Sequence, residues 1–250
     1  MNIYKHAEAN IRKTWLYMLS FLVLVIGLGW LMSYYFQSPI ILYAAVVLSL
    51  ILNIASYWFS DKIVLSMSGA KAIEKKDNPE LYRVVENLCI TAGLPLPKIY
   101  IIESNQPNAF ATGRDPKHAV VAVTRGLLEK LERAELEGVI AHELSHIGNR
   151  DMLLQTAVIV LVGVIVIMTD FFFRISFFGG MNRRDKEGGQ LGAIMAIAAL
   201  AMAILAPIFA QVIKLAISRK REYLADASGV LLTRFPEGLA RALEKIQADS

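Results

Sequence analysis

The residues best suited to catalysis lie in the segment H-E-L-S-H, which contains His142, Glu143 and His146. Residues four apart share one face of a helix, so both imidazoles can reach a single metal ion. Glu143 can then accept a proton from water at the metal's open position, and zinc lowers the pKa of bound water to about 7. This spacing is typical of zinc metalloproteases. The chain has 4 histidines in 250 residues, which makes a chance match on a surface helix the weaker interpretation.

A catalytic zinc ion needs a third protein ligand, and few residues of the chain could supply it. The single cysteine, Cys89, excludes a cysteine cluster. His6 lies too close to the first apolar segment, and His118 falls in a predicted strand. Glu222, in the segment S-R-K-R-E-Y-L-A-D, is therefore the best candidate.

A second acidic residue follows Glu222 on the same predicted helix face. Asp226 comes four residues later, where its carboxylate can accept the free N–H of a ligand histidine. Acidic residues on a helix are usually only solvated, but the H-E-x-x-H segment favours a metal site. We therefore predict one Zn²⁺ per chain, bound by His142, His146 and Glu222.

The composition indicates a membrane protein. The chain is 55% hydrophobic and 19% charged, whereas soluble domains carry about 25% charged residues. An apolar stretch of about 20 residues is long enough to cross a bilayer as a helix. Four candidate transmembrane helices follow: Trp15–Phe36, Ile40–Phe59, Met152–Thr169 and Leu191–Ile213. The predicted fold class is a mainly α membrane protein whose α+β peptidase domain contains a small β-sheet.

The basic residues predict the orientation in the membrane. Lys5, Arg12 and Lys13 precede the first span, so the N-terminus is expected to be cytoplasmic. Two spans separate His142 from Glu222, which returns both to the cytoplasmic side. Basic residues between spans three and four oppose this bias, so whether the second hairpin crosses fully stays open.

The chain divides into four predicted regions. Residues 1–60 form an N-terminal transmembrane hairpin, and residues 61–151 the first part of the catalytic domain, with the sheet and the H-E-x-x-H helix. Residues 152–213 form a second transmembrane hairpin with a mobile loop at 173–189. Residues 214–250 form the second part of the catalytic domain, with the helix of the third ligand.

Local signals predict the elements of the catalytic domain. Asn78 and Pro79 are a helix start and Gly93 is a helix end. Strands are predicted over Lys98–Ser104 and His118–Thr124, where β-branched residues concentrate. A short helix is predicted over Arg125–Leu131. An amphipathic helix follows from Arg133 and is expected to continue directly into the third span, which places the zinc ion about 9–14 Å from the hydrocarbon edge.

Three motifs together resemble one known family. They are N-A-F-A-T-G at Asn108–Gly113, V-I-A-H-E-L-S-H-I-G-N-R-D at Val139–Asp151, and S-R-K-R-E-Y-L-A-D at Ser218–Asp226. With these motifs and its order of spans, the chain resembles the HtpX family of membrane-bound zinc metalloproteases, relatives of the CAAX-prenyl endopeptidases.

The resemblance implies a gluzincin-type site, in which His142, His146 and Glu222 bind zinc and Glu143 is the general base. It also implies cleavage of misfolded membrane proteins at the cytoplasmic face of the cell (inner) membrane. An edge strand is expected to bind extended substrate through Asn108, Ala109, Phe110 and Ala111. Members of this family continue beyond the position that matches Ser250, so the catalytic domain is expected to be C-terminally incomplete and its oxyanion-stabilising residue is unassigned.

Two other functions compete with a protease. A non-catalytic membrane scaffold or partner subunit would hold zinc for structure only, and it would not need the base Glu143. A transporter would carry ionisable residues deep in its spans, but Asp170 sits at a span end and no other charged residue lies within a predicted span. Nucleic acid is excluded as a partner because no basic stripe with interleaved aromatic residues is present.

Overall fold

The structure is a computed structural model that describes residues 3–158, 162–163 and 219–248. The chain divides into two compact units. The first comprises residues 1–17, 54–157 and 218–250, and the second comprises residues 18–53 and 158–217. All the candidate site residues belong to the first unit.

Two long apolar helices begin the chain. Helix α1 covers Ile3–Phe36 and helix α2 covers Pro39–Trp58, and a turn at Gln37 with a positive φ of 51° joins them. The segments Ala7–Leu31 and Pro39–Trp58 are long and apolar enough to cross a membrane. Only 24% and 17% of the residues in their most apolar windows are buried, which suits contact with lipid better than a role as core helices.

The third and fourth predicted spans lie largely outside the described residues. The predicted third span is described only over residues 152–158 and 162–163, where its helical residues 152–154 are buried inside the protein. The predicted fourth span and the loop at 173–189 lie outside the described residues. Two candidate spans are therefore present in the described part of the chain, where four are predicted for the whole.

A four-stranded mixed sheet forms the centre of the first unit. Its strands are β1 (Lys71–Ala72), β2 (Lys98–Ile102), β3 (Ala109–Thr112) and β4 (Val120–Thr124). They lie in the order β1-β2-β4-β3, so β3 is at an edge. Strand β2 pairs parallel with β4, whereas β3 pairs antiparallel with β4. Strand β4 is buried on both faces, as the run of β-branched residues requires.

Helices cover both faces of the sheet. On one face, Val120 and Ala122 pack with Leu65 of helix α3 (Ser60–Ser68). On the other, Val121 and Val123 join the main core with three further helices, α4 (Pro79–Ala92), α5 (Arg125–Lys130) and α6 (Arg133–Gly148). Helix α4 begins and ends as predicted, because Asn78 accepts a hydrogen bond from the N–H of Leu81 and Gly93 has a φ of 66°.

Helix α6 is the element around which the site is built. It contacts α4, the edge strand β3 and two later helices, α8 (Arg219–Thr233) and α9 (Pro236–Gln247). Gly138 and Gly238 let α6 and α9 approach closely, since a Cβ on Gly138 would lie 2.7 Å from the N atom of Leu239. Lys245 also binds the buried Glu135 at 2.7 Å. These contacts hold α6 against the later part of the chain.

Two local predictions are wrong. Helix α6 does not continue into the third span: it ends at Gly148, Arg150 adopts a positive φ of 56°, and a new helix, α7, covers residues 151–158. The pair Gly148-Asn149 is an ordinary helix-end signal that marks this break. The strand predicted from His118 begins at Val120 instead, because Asp115 caps a short 3₁₀ turn over Pro116–His118.

Candidate active site

Helix α6 presents both histidines of H-E-x-x-H at one point. The N–H of Glu132 donates to the side chain of Glu135 at 2.8 Å, which stabilises the first turn of the helix. Leu136, Ile140 and Leu144 face the core and fix the rotation of the helix. His142 and His146 follow on adjacent turns, and their Nε2 atoms lie 3.2 Å apart. The i, i+4 spacing thus converges two imidazoles as predicted.

Glu222 of helix α8 completes a triangle of ligand atoms. Its Oε2 lies 3.6 Å from Nε2 of His142 and 3.7 Å from Nε2 of His146. A tetrahedral ion with bonds of about 2.0–2.1 Å separates its ligand atoms by roughly 3.3–3.4 Å. The three atoms therefore fit a metal ion, and among the described residues they form a group of this kind. Two imidazoles and a carboxylate suit a divalent transition metal.

Two carboxylates lie beside the far nitrogens of the imidazoles. Nδ1 of His142 lies 2.8 Å from Oδ1 of Asp226, and Nδ1 of His146 lies 3.2 Å from Oδ2 of Asp151. A neutral imidazole that donates from Nδ1 presents a lone pair at Nε2, which is the atom that faces Glu222 in both cases. Asp226 is placed where the sequence predicts it, beside a candidate ligand histidine. Asp151 is an addition that the sequence pattern did not suggest.

The electrostatics of the cluster favour a cation. Burial alone would lower the pKa of His146, but its hydrogen bond with Asp151 and the nearby Glu222 carboxylate raise it to about 10. The pKa of His142 is also raised, because the nearby carboxylates of Glu222 and Glu143 outweigh its burial. The two imidazoles in turn strongly lower the pKa of Glu222. Surrounding carboxylates thus stabilise positive charge at this point, which a bound divalent ion would supply.

Glu143 points from α6 to the edge strand. Its Oε2 accepts a hydrogen bond from the N–H of Ala111 in β3 at 2.9 Å. Burial raises the pKa of Glu143, and the neighbouring His146 and His142 partly oppose that shift. The carboxylate therefore lies between the ligand histidines and β3, where it could exchange a proton with a peptide held along the strand.

The pairing of β3 with β4 divides the predicted substrate-binding residues into two sets. Asn108 faces β4, since its carbonyl accepts from the N–H of Thr124 at 2.9 Å. Alternation in an antiparallel ladder then directs the main chain of Phe110 to β4 as well. Ala109 and Ala111 direct their N–H and C=O groups away from the sheet, and the Ala111 N–H meets Glu143. Of the four predicted residues, Ala109 can therefore offer both main-chain groups to an added strand, and Ala111 its carbonyl.

Gly229 allows helix α8 to approach the site, although sequence reasoning did not identify it. It follows Glu222 and Asp226 on one face of α8 at i+7. A Cβ at this position would lie 3.0 Å from the backbone N and 3.2 Å from the Cα of His142. Two acidic residues at i and i+4 followed by a glycine at i+7 on the same helix face are the signal that could have revealed this contact.

Enlarging Gly229 is expected to weaken metal binding. Gly229→Val should push α8 away from His142 and separate Glu222 from the imidazoles, lowering zinc affinity roughly 10- to 100-fold, as for the loss of an outer partner. Zinc affinity of the purified protein, measured by competition with a chromophoric chelator, checks this. Ala227→Val is the matched control, because Ala227 is exposed on the same helix. Equal affinities of the two variants would contradict the prediction.

The fold and the site together define a class. Two histidines of an H-E-x-x-H helix, a glutamate from a later helix and an adjacent edge strand are the parts of a metallopeptidase with a glutamate as third ligand. The first unit of this chain contains all of them.

Comparison with known proteins agrees with this class. Residues 75–249 match the model of peptidase family M48. A protease HtpX homolog of Dictyoglomus thermophilum is 49% identical over 245 residues, which cover 97% of this chain and 79% of the relative. A protease HtpX homolog of Aquifex aeolicus is 50% identical over 203 residues, 81% of this chain and 67% of the relative. The chain belongs to peptidase family M48.

A solved structure supports the fold independently. The chain is similar to the crystal structure of S. mikatae Ste24p, with a TM-score of 0.54 and 21% identity. The match covers 89% of this chain and 55% of that one.

The resemblance to the HtpX family inferred from the three motifs is confirmed by the family model and the HtpX homologs. The protein is a membrane protease of the metallo class.

Proposed function

We propose that this chain is a zinc-dependent endopeptidase that hydrolyses peptide bonds of misfolded or damaged membrane proteins at the cytoplasmic face of the cell membrane. The observation that carries the proposal is the convergence of His142, His146 and Glu222 beside a glutamate bonded to an edge strand. A structural zinc site would not need the adjacent carboxylate of Glu143, so this arrangement favours catalysis over a scaffold.

The chain's own residues divide the chemistry among them. His142, His146 and Glu222 would hold one zinc ion, which polarises a carbonyl and makes water a nucleophile near neutral pH. Glu143 then accepts the proton of the attacking water on its carboxylate and transfers it to the amine that leaves. Asp151 accepts a hydrogen bond from Nδ1 of His146, and Asp226 lies beside Nδ1 of His142, which favours a proton on each Nδ1 and leaves Nε2 as the donor atom.

The edge strand supports an extended peptide as the substrate. Ala109 presents its N–H and C=O, and Ala111 its C=O, as main-chain groups that a peptide can pair with as an added strand. The peptide would then run past Glu143, which the Ala111 N–H already contacts. A folded protein keeps its own backbone hydrogen bonds, so only unfolded segments can pair in this way. This requirement favours misfolded proteins over native ones.

The membrane setting rests on the first two helices and the charge bias. Lys5, Arg12 and Lys13 lie near the start of α1, which predicts a cytoplasmic N-terminus. A lipid-embedded protease encounters other membrane proteins by diffusion in the same bilayer. Substrates whose unfolded loops emerge beside the membrane are therefore its natural class.

Removal and return of zinc test the proposal. The detergent-purified protein should cleave an unfolded membrane protein but not its folded form, with one zinc ion per chain. A chelator should abolish cleavage, and stoichiometric zinc should restore it. If zinc binds at one per chain and no unfolded substrate, including the chain itself, is cleaved, the non-catalytic scaffold becomes the better explanation.

Proline substitutions test the role of the edge strand. Ala109→Pro removes an N–H that faces away from the sheet, so it should leave the fold intact. It should raise the KM for unfolded substrate roughly 2- to 10-fold, the value of one hydrogen bond. Steady-state kinetics and the thermal midpoint of the protein in detergent measure the two effects.

Phe110→Pro provides the contrast, since its N–H faces β4. This variant should lower the thermal midpoint because a ladder hydrogen bond is lost. A normal KM in Ala109→Pro would mean that substrate does not pair with this strand.

A further inference from the structure

Asp151 is a fully buried carboxylate that three parts of the chain surround. It is the first residue of α7 and has no exposed surface. Its Oδ2 lies 3.2 Å from Nδ1 of His146, and its Oδ1 lies 3.9 Å from Nε of Arg221 in α8. A buried charge must be hydrogen-bonded to be tolerated, so the partners of Asp151 determine where its two oxygens point.

The shortest of these contacts comes from the N-terminal helix. Nδ2 of Asn10 donates to Oδ1 of Asp151 at 2.6 Å and to the carbonyl of Asn149 at 3.1 Å. Both partners are acceptors, so the amide nitrogen must face them and the orientation of Asn10 is unambiguous. The Asn10 side chain is itself 6% exposed. Its two hydrogen bonds join α1 to the break between α6 and α7.

The break in the helix explains why this contact exists. Because α6 ends at Gly148, the carbonyl of Asn149 is not part of a continuous helix, and Arg150 turns the chain so that Asp151 faces back towards His146. Asn10 satisfies both of the acceptors that this geometry creates. A continuous helix would have carried Asp151 past the histidine.

We propose that Asn10 is a positioning residue of the metal site. It holds Oδ1 of Asp151, which leaves Oδ2 aligned with Nδ1 of His146 and thereby aims Nε2 of His146 at the metal position. The inference rests on the proposed zinc site and extends it to α1, the helix that also carries the first candidate membrane span. That helix is then a component of the metal centre in addition to an anchor.

Zinc affinity of full-length variants tests the proposal. Asn10→Ala and Asn10→Leu both remove the donor, and leucine keeps the volume and suits an apolar helix. We expect each to weaken zinc binding about tenfold, at the lower end of the range for outer partners of a ligand. The affinity is measured in detergent by competition with a chromophoric chelator. The visible absorption of the Co²⁺-loaded protein should shift as well, because the donor geometry of His146 changes.

Thr14→Val is the matched control. Thr14 lies one turn further along α1 and is 1% exposed, and its hydroxyl donates to the carbonyl of Asn10 within the same helix. Its zinc affinity should stay within about twofold of the parent. In an Asp151→Asn background, Asn10→Leu should add little further loss, since both residues act through the same imidazole.

The outcomes separate this inference from the proposed function. A parent protein that binds no zinc overturns both. A parent that binds zinc and cleaves substrate, with unchanged affinity in Asn10→Leu, overturns only the role of Asn10. Loss of folded protein in both Asn10 variants, with Thr14→Val folded, assigns Asn10 to folding and also overturns positioning. Additive losses in the Asp151→Asn background would contradict the stated route.

Discussion

Glu143→Gln is expected to abolish proteolysis while the protein keeps its zinc. Glutamine has the size of glutamate, and its carbonyl oxygen can still accept the Ala111 N–H that Glu143 accepts at 2.9 Å. The side chain therefore stays between the ligands and β3. Its amide cannot take a proton from water. We therefore expect kcat to fall about 10²- to 10⁴-fold, which is the usual contribution of a general base.

The measurement pairs kinetics with metal content. Cleavage of an unfolded membrane protein gives kcat, and elemental analysis of the same sample gives zinc per chain. Glu137→Gln is the control, because Glu137 is on the same helix and pairs only with Arg133 in the described ion pairs. It removes the same charge, and its kcat should match the parent.

Each other outcome for Glu143→Gln has a distinct meaning. Unchanged cleavage would show that another group removes the proton. Loss of both zinc and cleavage would show that Glu143 holds the site together through its bond to β3. If neither the parent nor the variant cleaved the substrate, the non-catalytic scaffold would be the better explanation. The combination of full zinc and lost activity is specific to a general base.

The parts of the site that sequence predicts are those that local geometry determines. His142 and His146 converge because four residues of helix always bring side chains to one face, whatever surrounds the helix. Glu222 could be inferred because zinc chemistry requires a third ligand and because an even number of predicted spans lies between it and the histidines. Asp226 follows from the same helical spacing. None of these steps needs knowledge of tertiary packing.

The parts that sequence did not predict depend on packing between distant elements. The bond from the Ala111 N–H to Glu143 requires the register of β3 on β4, which the strand residues alone do not specify. Gly229 is significant only because α8 crosses α6 at His142. In the sequence, Asn10 is an ordinary polar residue near the start of an apolar helix. Its partner Asp151 lies 141 positions away, and no periodicity links them.

The break after Gly148 is an intermediate case. Gly148-Asn149 is a helix-end signal, whereas the apolar run from Met152 favours a single helix that enters the membrane, and the prediction used only the apolar run. The structure resolves this conflict with a residue other than glycine at positive φ, Arg150. Such a residue is uncommon and has a conformational cost. The break brings Asp151 back to His146. The turn at Arg150, which the apolar run did not predict, therefore contributes to the candidate metal site.

Glu222→Ala is expected to remove zinc from the protein almost completely. Glu222 is the only ligand candidate outside α6 in the described group, and its pKa is lowered strongly by the two imidazoles it faces. It is therefore ionised at neutral pH and supplies the negative charge of the donor set. Two imidazoles alone form an open, weak site, so zinc affinity should fall by more than the roughly 100-fold upper range for outer partners. Activity should be lost with the metal.

A graded series of variants makes this prediction specific. Asp226→Asn removes the partner of His142 at 2.8 Å but no ligand, so its affinity should fall only about 10- to 100-fold. Glu237→Gln is the neutral control, since Glu237 is exposed on α9. Chelator competition should thus rank the losses Glu222→Ala, then Asp226→Asn, then Glu237→Gln.

The order of the series matters more than any single value. If Asp226→Asn lost more zinc than Glu222→Ala, Asp226 would be the ligand and Glu222 its support. If Glu222→Ala kept parental affinity, the third ligand would lie elsewhere in the chain. Glu222 lies 3.6 and 3.7 Å from the two Nε2 atoms, whereas Asp226 contacts Nδ1 of His142. This geometry predicts that Glu222→Ala loses more zinc affinity than Asp226→Asn. Nδ1 and Nε2 are opposite sides of one ring, so the two carboxylates cannot exchange roles without reversing the imidazole.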